Sequence, residues 1–248
     1  MPDILSQLDV ALLVFTAFIA SYITAALGIG GGLLLLSVMA NIVPITHLIP
    51  VHGIVQVASN AGRAAMLWRS IDARMLLYFS VGSVAGYWLA PYIIIELSLA
   101  LLQISVAAFI LLLQWGPKLR FAAKGKAALV VQGGVITLLS SLVGATGPLV
   151  ASILNHLQVK QVLVATMAAM QTVQHSMKSL VFVQLGVDLL PWLGLILLMV
   201  VAGFAGTHFG LRKMMKLPED KFRFWFRWLI TLLSLRMLAL GLLELFSA

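Results

Sequence analysis

Gly28-Ile29-Gly30-Gly31-Gly32 and Gly144-Ala145-Thr146-Gly147-Pro148 interrupt two long apolar runs about 116 positions apart. Each stretch splits a membrane helix into two halves. A gap in a helix frees backbone N–H groups at the start of the second half, and a bilayer tolerates it only where protein or a water-filled cavity covers it. The freed donors and the helix dipole make a small anion site. Two related breaks, one per half of a chain, are the pattern of a secondary transporter that holds its substrate near the midplane.

Composition sets the class. With 62% hydrophobic residues, 10% charged and a mean hydropathy of +1.08, the chain reads as an integral membrane protein. A soluble domain carries about 25% charged residues. The net charge of +8 raises nucleic acid as a partner, but the basic residues sit in short connections with no long stripe and no interleaved aromatics. Positive-inside topology accounts for them, so no nucleic-acid partner is expected. Asp3 and Asp9 stand where a signal peptide carries its basic residues, so the first apolar stretch is expected to remain. With no cysteine, disulfides, thiolate metal sites and cysteine nucleophiles are excluded.

Eight hydrophobic segments follow in order, at about 10–42, 47–68, 75–95, 97–115, 127–156, 159–183, 189–210 and 228–246. As one straight helix the first would reach roughly 50 Å, well beyond the roughly 30 Å of a hydrocarbon core, and folding back at the glycines removes the excess. Basic residues mark three connections: Arg63, Arg69 and Arg74; Lys118, Arg120, Lys124 and Lys126; and the run from Arg212 to Arg227. If all eight segments crossed, the last two connections would lie on opposite sides, against the positive-inside rule. With the first and fifth segments re-entrant, all three face the cytoplasm and both termini lie outside. The expected fold is therefore an all-α integral membrane protein of two inverted repeats, each a re-entrant broken-helix hairpin plus three transmembrane helices. The halves span residues 1–117 and 127–248, joined by a basic cytoplasmic linker at 118–126.

Residues agree with this division. Gly28, Gly31 and Leu33 pair with Gly144, Gly147 and Leu149 at an offset of 116, and Gln56, Asn60 and Arg63 pair with Gln171, His175 and Lys178 at 115. These last are the polar positions of two otherwise apolar helices. His52, Gln56, Ser59, Asn60 and Arg63 recur at helical spacing, and Gln171, Gln174, His175 and Lys178 repeat the stripe. Intramembrane polar groups are costly and face a cavity or a partner. The amides of Gln56, Asn60 and Gln171, the backbone around Gly31, Gly32 and Gly147, and the Thr146 hydroxyl all donate to an oxyanion, and His175 joins them as a titratable member. These eight residues form the candidate substrate site. His52, Arg63, Gln174 and Lys178 are candidates for electrostatic or coupling roles.

With its glycine break near the N-terminus, a second before a proline at mid-chain and a polar helix after each, the chain resembles the TauE/SafE family of membrane proteins from about Tyr22 to Leu211. The resemblance implies export of sulfite or a small organosulfonate by two inverted halves in the cytoplasmic membrane, driven by an ion gradient. Leu33 after the first break and Pro148 within the second depart from the pattern of many relatives. Sulfite titrates near neutrality, so His175 beside it would distinguish its charge states or couple efflux to protons. No cofactor or metal is expected. The expected partners are a small sulfite-like anion and the lipid bilayer, with a homodimer left open.

Each feature also has a plainer reading. The glycines allow close helix packing, and Gln56 and Gln171 act as interhelical glue. Arg63 and Lys178 fall near helix ends, where snorkelling to the interface is the favoured reading. His47, His156 and His208 are interfacial, and Ala85-Gly86 and Ala205-Gly206 are packing contacts. Among other functions, an intramembrane protease built on Ser140, Ser141 and His175 lacks a nucleophile elbow or zinc motif, so no enzyme is expected. A channel, or a transporter for another anion or a cation, is the alternative. Cation coordination asks for intramembrane carboxylates, and the eight acidic residues lie almost entirely at segment ends. A purely structural membrane protein would not need glutamine at matched positions.

Overall fold

A computed structural model describes residues 4–28, 30–95, 97–117, 125–154, 157–213 and 220–247. The described residues form ten α-helices and no strand: α1 (Gln7–Leu27), α2 (Gly31–Met39), α3 (Ile45–Met66), α4 (Ala73–Ile94), α5 (Leu99–Trp115), α6 (Lys126–Val143), α7 (Gly147–Ile153), α8 (Lys160–Gln184), α9 (Leu193–Lys213) and α10 (Asp220–Ser247). The starts of α1, α4 and α5 carry side-chain caps from Ser6, Asp72 and Ser98, which satisfy first-turn N–H groups that lack an intrahelical acceptor. Both breaks fall where the sequence places them. Gly28 (φ 93°) ends α1 and Gly144 (φ 85°) ends α6, each in a left-handed conformation that a side chain would strain.

The arms of each broken segment are unequal. Five helices are long and apolar enough to cross a membrane, and α1 and α6 are among them, with α4, α9 and α10. The return arms are short, nine residues in α2 and seven in α7. The reason is in the sequence: each break follows a full apolar helix rather than dividing its run at the middle. α3 and α8, at 22 and 25 residues, have the length of a span and fall below it in hydropathy because of their polar stripes. α2 folds back along α1, since Gly31 lies directly against the backbone carbonyl of Ala20 and the Thr24 hydroxyl.

Small residues govern the closest helix contacts. α1 runs beside α9, with Gly203 against Ser21, Gly206 against the Phe18 carbonyl and Gly210 against Tyr22. α4 runs beside α6 in the same manner, with Gly133 against Phe79 and Gly82 and Gly86 against Gly134 and its neighbours. Gly86 and Gly206 are thus packing contacts, as the plainer reading has them. At the centre α3 packs on α8, and at one flank α5 packs on α10. A Cβ at Gly134 would lie 3.2 Å from the Gly82 carbonyl oxygen, tight but not prohibitive. Gly134→Ala is accordingly expected to cost about 1–3 kcal/mol of stability, by overpacking, with transport retained. Thermal melting of detergent-purified protein checks it.

Aromatic contacts tie together helix ends that flank the basic connections. Arg227 lies 3.7 Å above the Trp115 ring at the end of α5, and Lys126 lies 5.6 Å from the Tyr78 ring near the start of α4. Trp115 also donates to Thr231 at 2.8 Å. Lys118, Arg120, Lys124 and Lys216 lie outside the described residues, as does His156. At the opposite end His47 stacks on Trp192, ring centroids 5.1 Å apart.

Candidate functional site

The two breaks, far apart in the chain, meet in the middle of the bundle. Gly30, Gly32 and Leu33 from the first and Ala145, Gly147 and Pro148 from the second line a single cavity. α1 closes it with Thr24, α3 with Gln56 and Asn60, and α8 with Met167, Gln171 and His175. Its free space amounts to about 20 Å3 for the centre of a water-sized sphere, which holds about one water. A sulfite-sized ion therefore requires the breaks to separate slightly.

The breaks face their glutamines in matching ways. The amide nitrogen of Gln56 packs directly on Gly32, and that of Gln171 packs on Gly147. Only glycine leaves room for an amide there, and each amide remains able to donate into the cavity. In α2 the Gly30 carbonyl serves the N–H groups of Leu33 and Leu34, so those of Gly31 and Gly32 precede any intrahelical acceptor. Gly31 itself is turned to α1 rather than to the cavity. In α7 the Thr146 carbonyl serves Leu149 and Val150, and Pro148 has no N–H, so Gly147 is the one early donor. With only seven residues, α7 contributes that donor rather than a developed dipole.

Of the eight candidate substrate residues, Gly32, Gln56, Asn60, Gly147, Gln171 and His175 line the cavity. Thr146 does not. Its hydroxyl accepts a 2.6 Å bond from the Gln174 amide, so this pair braces the second break from behind. Asn60 spends one amide hydrogen on the Gln56 carbonyl at 2.8 Å and accepts from Arg63 at 3.1 Å, which leaves its second hydrogen for a ligand. His175 Nδ1 is buried without a partner among the described residues.

Snorkelling of Arg63 and Lys178 is overturned. Arg63 is 2% exposed and Lys178 0%. The bundle continues past both side chains, because α9 covers α3 and the second break covers α8. Lys178 Nζ donates to the Gly144 carbonyl at 2.8 Å and lies 3.2 Å from His52 Nδ1. His52 Nε2 lies 3.1 Å from the Gly32 carbonyl. A carbonyl only accepts, so Nε2 carries the proton and Nδ1 is left to accept from lysine. The chain Lys178 to His52 to Gly32, with Lys178 to Gly144, ties both breaks to one lysine. The His52 and His175 rings meet edge-on, with centroids 5.8 Å apart. None of the four coupling candidates lines the cavity; each is bonded behind a break or behind a lining residue.

Arg63 belongs to a second network that the sequence does not announce. Its guanidinium reaches Ser59 at 3.5 Å, and the Ser59 hydroxyl lies 2.9 Å from that of Ser21 and 3.4 Å from that of Thr207. Ser21, Thr24 and Thr207 are single small polar residues on apolar helices. The one signal that marks Thr24 is its position one turn before Gly28. Among the described residues the buried polar side chains include Arg63 and Lys178 but no aspartate or glutamate, and no cluster of three His, Cys, Asp or Glu side chains suited to a metal occurs. A site of amide, backbone and basic donors without a buried acid accepts an anion and repels a cation.

No curated protein and no solved structure matches the chain. A family model does, that of the sulfite exporter TauE/SafE, over residues 13–237 of the 248. With apolar helices long enough to span a bilayer and a match over nearly the whole chain, this multi-pass membrane protein belongs to the sulfite exporter TauE/SafE family.

Proposed function

We propose that the chain is a secondary transporter that exports a small sulfur oxyanion, sulfite or a small organosulfonate, across the cytoplasmic membrane. The observation that carries the reading is the meeting of two glycine breaks, each under a glutamine amide, around one cavity flanked by buried Arg63 and Lys178 and, among the described residues, by no buried acid. The family assignment supplies the substrate class. Gly32, Gln56, Asn60, Gly147, Gln171 and His175 hold the anion, with Gly31 and Thr146 supporting them. His52, Gln174 and Lys178 set the relation between the breaks.

The reading includes two inverted halves, α1 to α5 and α6 to α10. Reciprocal packing supports it: the first helix of each half lies against the fourth of the other, α1 on α9 and α6 on α4, while α3 meets α8 and α5 meets α10. The helix ends that flank the three basic connections lie at one end of the bundle and support a cytoplasmic side there, with both termini outside. Separation of the breaks then opens the site, with access alternating between the two sides of the membrane.

Labelled sulfite uptake into proteoliposomes tests the proposal, with sulfate, taurine and sulfoacetate as competitors. Saturable uptake is expected in wild type. Loss of a hydrogen bond to a charged ligand is worth about 1.5–3 kcal/mol, so Gln171→Ala and Asn60→Ala should each weaken apparent affinity roughly 10- to 100-fold at normal expression. Well-folded wild-type protein that moves no sulfur anion would overturn the reading. His175→Ala is expected to alter the pH dependence of transport, and an unchanged rate and profile would remove His175 from the coupling.

A further inference from the structure

A second cavity lies beyond the far end of α2. It measures about 260 Å3, is lined by the 40–45 connection, Leu48, Gln103 of α5 and Met237 of α10, and is far roomier than the central one. The nine residues of α2 separate the two cavities by about 14 Å at 1.5 Å per residue. This connection lies at the end of α3 opposite the basic turn with Arg69 and Arg74, and so on the outer side in the proposed topology.

Arg236 stands beside this cavity. It occupies the middle of the apolar span Arg227–Phe246 and is exposed. Its Nη1 donates to the backbone and side-chain oxygens of Asn41, a lining residue, and both acceptors are neutral. Asn41 is itself held by its amide, which donates to the Ser37 carbonyl at 2.7 Å and the Leu233 carbonyl at 3.4 Å. A guanidinium at mid-span is tolerated where it faces a water-filled cavity or a partner group, not lipid tails. One nitrogen is committed to Asn41, and among the described residues no other partner takes the rest of a five-donor fork built for oxyanions.

We propose that this cavity is a second oxyanion site, a water-filled vestibule on the exit side in which Arg236 receives the anion released from between the breaks. The assignment rests on the transport reading for the identity of that anion. A lipid phosphate shares the chemistry, and the lipid composition of the discs in the test below separates it from a free ion. Its effect is to lower the barrier to release: a cation about 14 Å from the central site, along α2, offers the departing anion an intermediate stop.

The absence of native cysteine permits a direct test. Ile42→Cys, on the cavity wall, is placed in phosphatidylcholine nanodiscs and its modification by a water-soluble cationic thiosulfonate is timed with and without methanesulfonate. Methanesulfonate is used because sulfite attacks the reagent. Rapid modification, slowed several-fold by the anion, is expected. The slowing should vanish with Arg236→Gln, persist with Arg236→Lys, and persist with Gln171→Ala, which disables the central site alone. No modification would mean that the cavity opens to lipid, and modification indifferent to the anion would mean that it holds none; either overturns the proposal on the single-cysteine protein, whatever the Arg236 variants do. Slowing that needs only phosphatidylglycerol in the disc would assign the site to a headgroup and overturn it too. Anion protection in a protein that fails to transport sulfite would keep this site and remove the exporter reading.

Discussion

Gly31→Ala is expected to abolish folded protein, whereas Gly32→Ala, one residue on, should leave the protein folded and weaken its hold on the anion. A Cβ at Gly31 would enter the backbone of Ala20, with the carbonyl carbon at 2.5 Å, and backbone cannot step aside without parting α1 from α2. Those helices form the first hairpin, so its loss removes one wall of the cavity and much of the bundle's centre. A Cβ at Gly32 meets only the amide end of Gln56. A flexible side chain swings away at little cost in stability, but its donor leaves the cavity. Loss of one donor to an anion corresponds to roughly 10- to 100-fold in affinity. Size-exclusion profiles and sulfite uptake measured on the two variants together check the pair. If Gly32→Ala transported normally, the Gln56 amide would have no part in binding.

Lys178→Met is expected to change stability little and transport greatly. Methionine fills much of the lysine stem's volume, and removing an ammonium from a dry interior recovers a desolvation penalty of several kcal/mol. Against this, the Gly144 carbonyl and His52 Nδ1 lose their donor, at about 1–3 kcal/mol each. The two effects are of similar size and opposite sign. Transport has no such compensation, because Lys178 is the group that joins both breaks, through Gly144 directly and through His52 to Gly32. Uncoupled breaks no longer open and close as a unit, and the basic charge behind the anion is gone. An unaltered melting temperature with sulfite flux reduced at least tenfold, roughly the worth of one charge-assisted hydrogen bond, is the expected result. A lowered melting temperature with normal flux would make Lys178 a structural brace only.

The segment boundaries were legible because apolar runs and their interruptions respond to one physical constraint, the absence of hydrogen-bonding solvent in the bilayer. α3 is expected at 47–68 and found at 45–66; α8 is expected at 159–183 and found at 160–184. The polar stripes of these helices were legible for the same reason, since Gln56, Asn60, Gln171 and His175 are too costly to face lipid. The arm lengths were less so. An apolar run states that a helix is buried in the membrane and not how far past the midplane it continues, so α1 and α6 emerge long enough to cross a membrane where shorter arms were expected.

Residue chemistry along the chain therefore determined the class, the helix limits, the two breaks and most of the cavity lining, all of which follow from local cost in lipid. Tertiary structure decided what lies behind that lining. Lys178 sits two turns from its helix end, a position compatible with reaching the interface; only the packing of the second break over it turns the amine inward to Gly144 and His52. Thr146 reads as a donor toward a ligand until Gln174, 28 residues on, takes its hydroxyl. Ser21, Ser59 and Thr207 come from three helices, and no spacing within one helix records that they meet. Hydrogen bonds between helices depend on rotation and depth, and those are set by glycine contacts such as Gly206 on Phe18, which exist only once the bundle has closed.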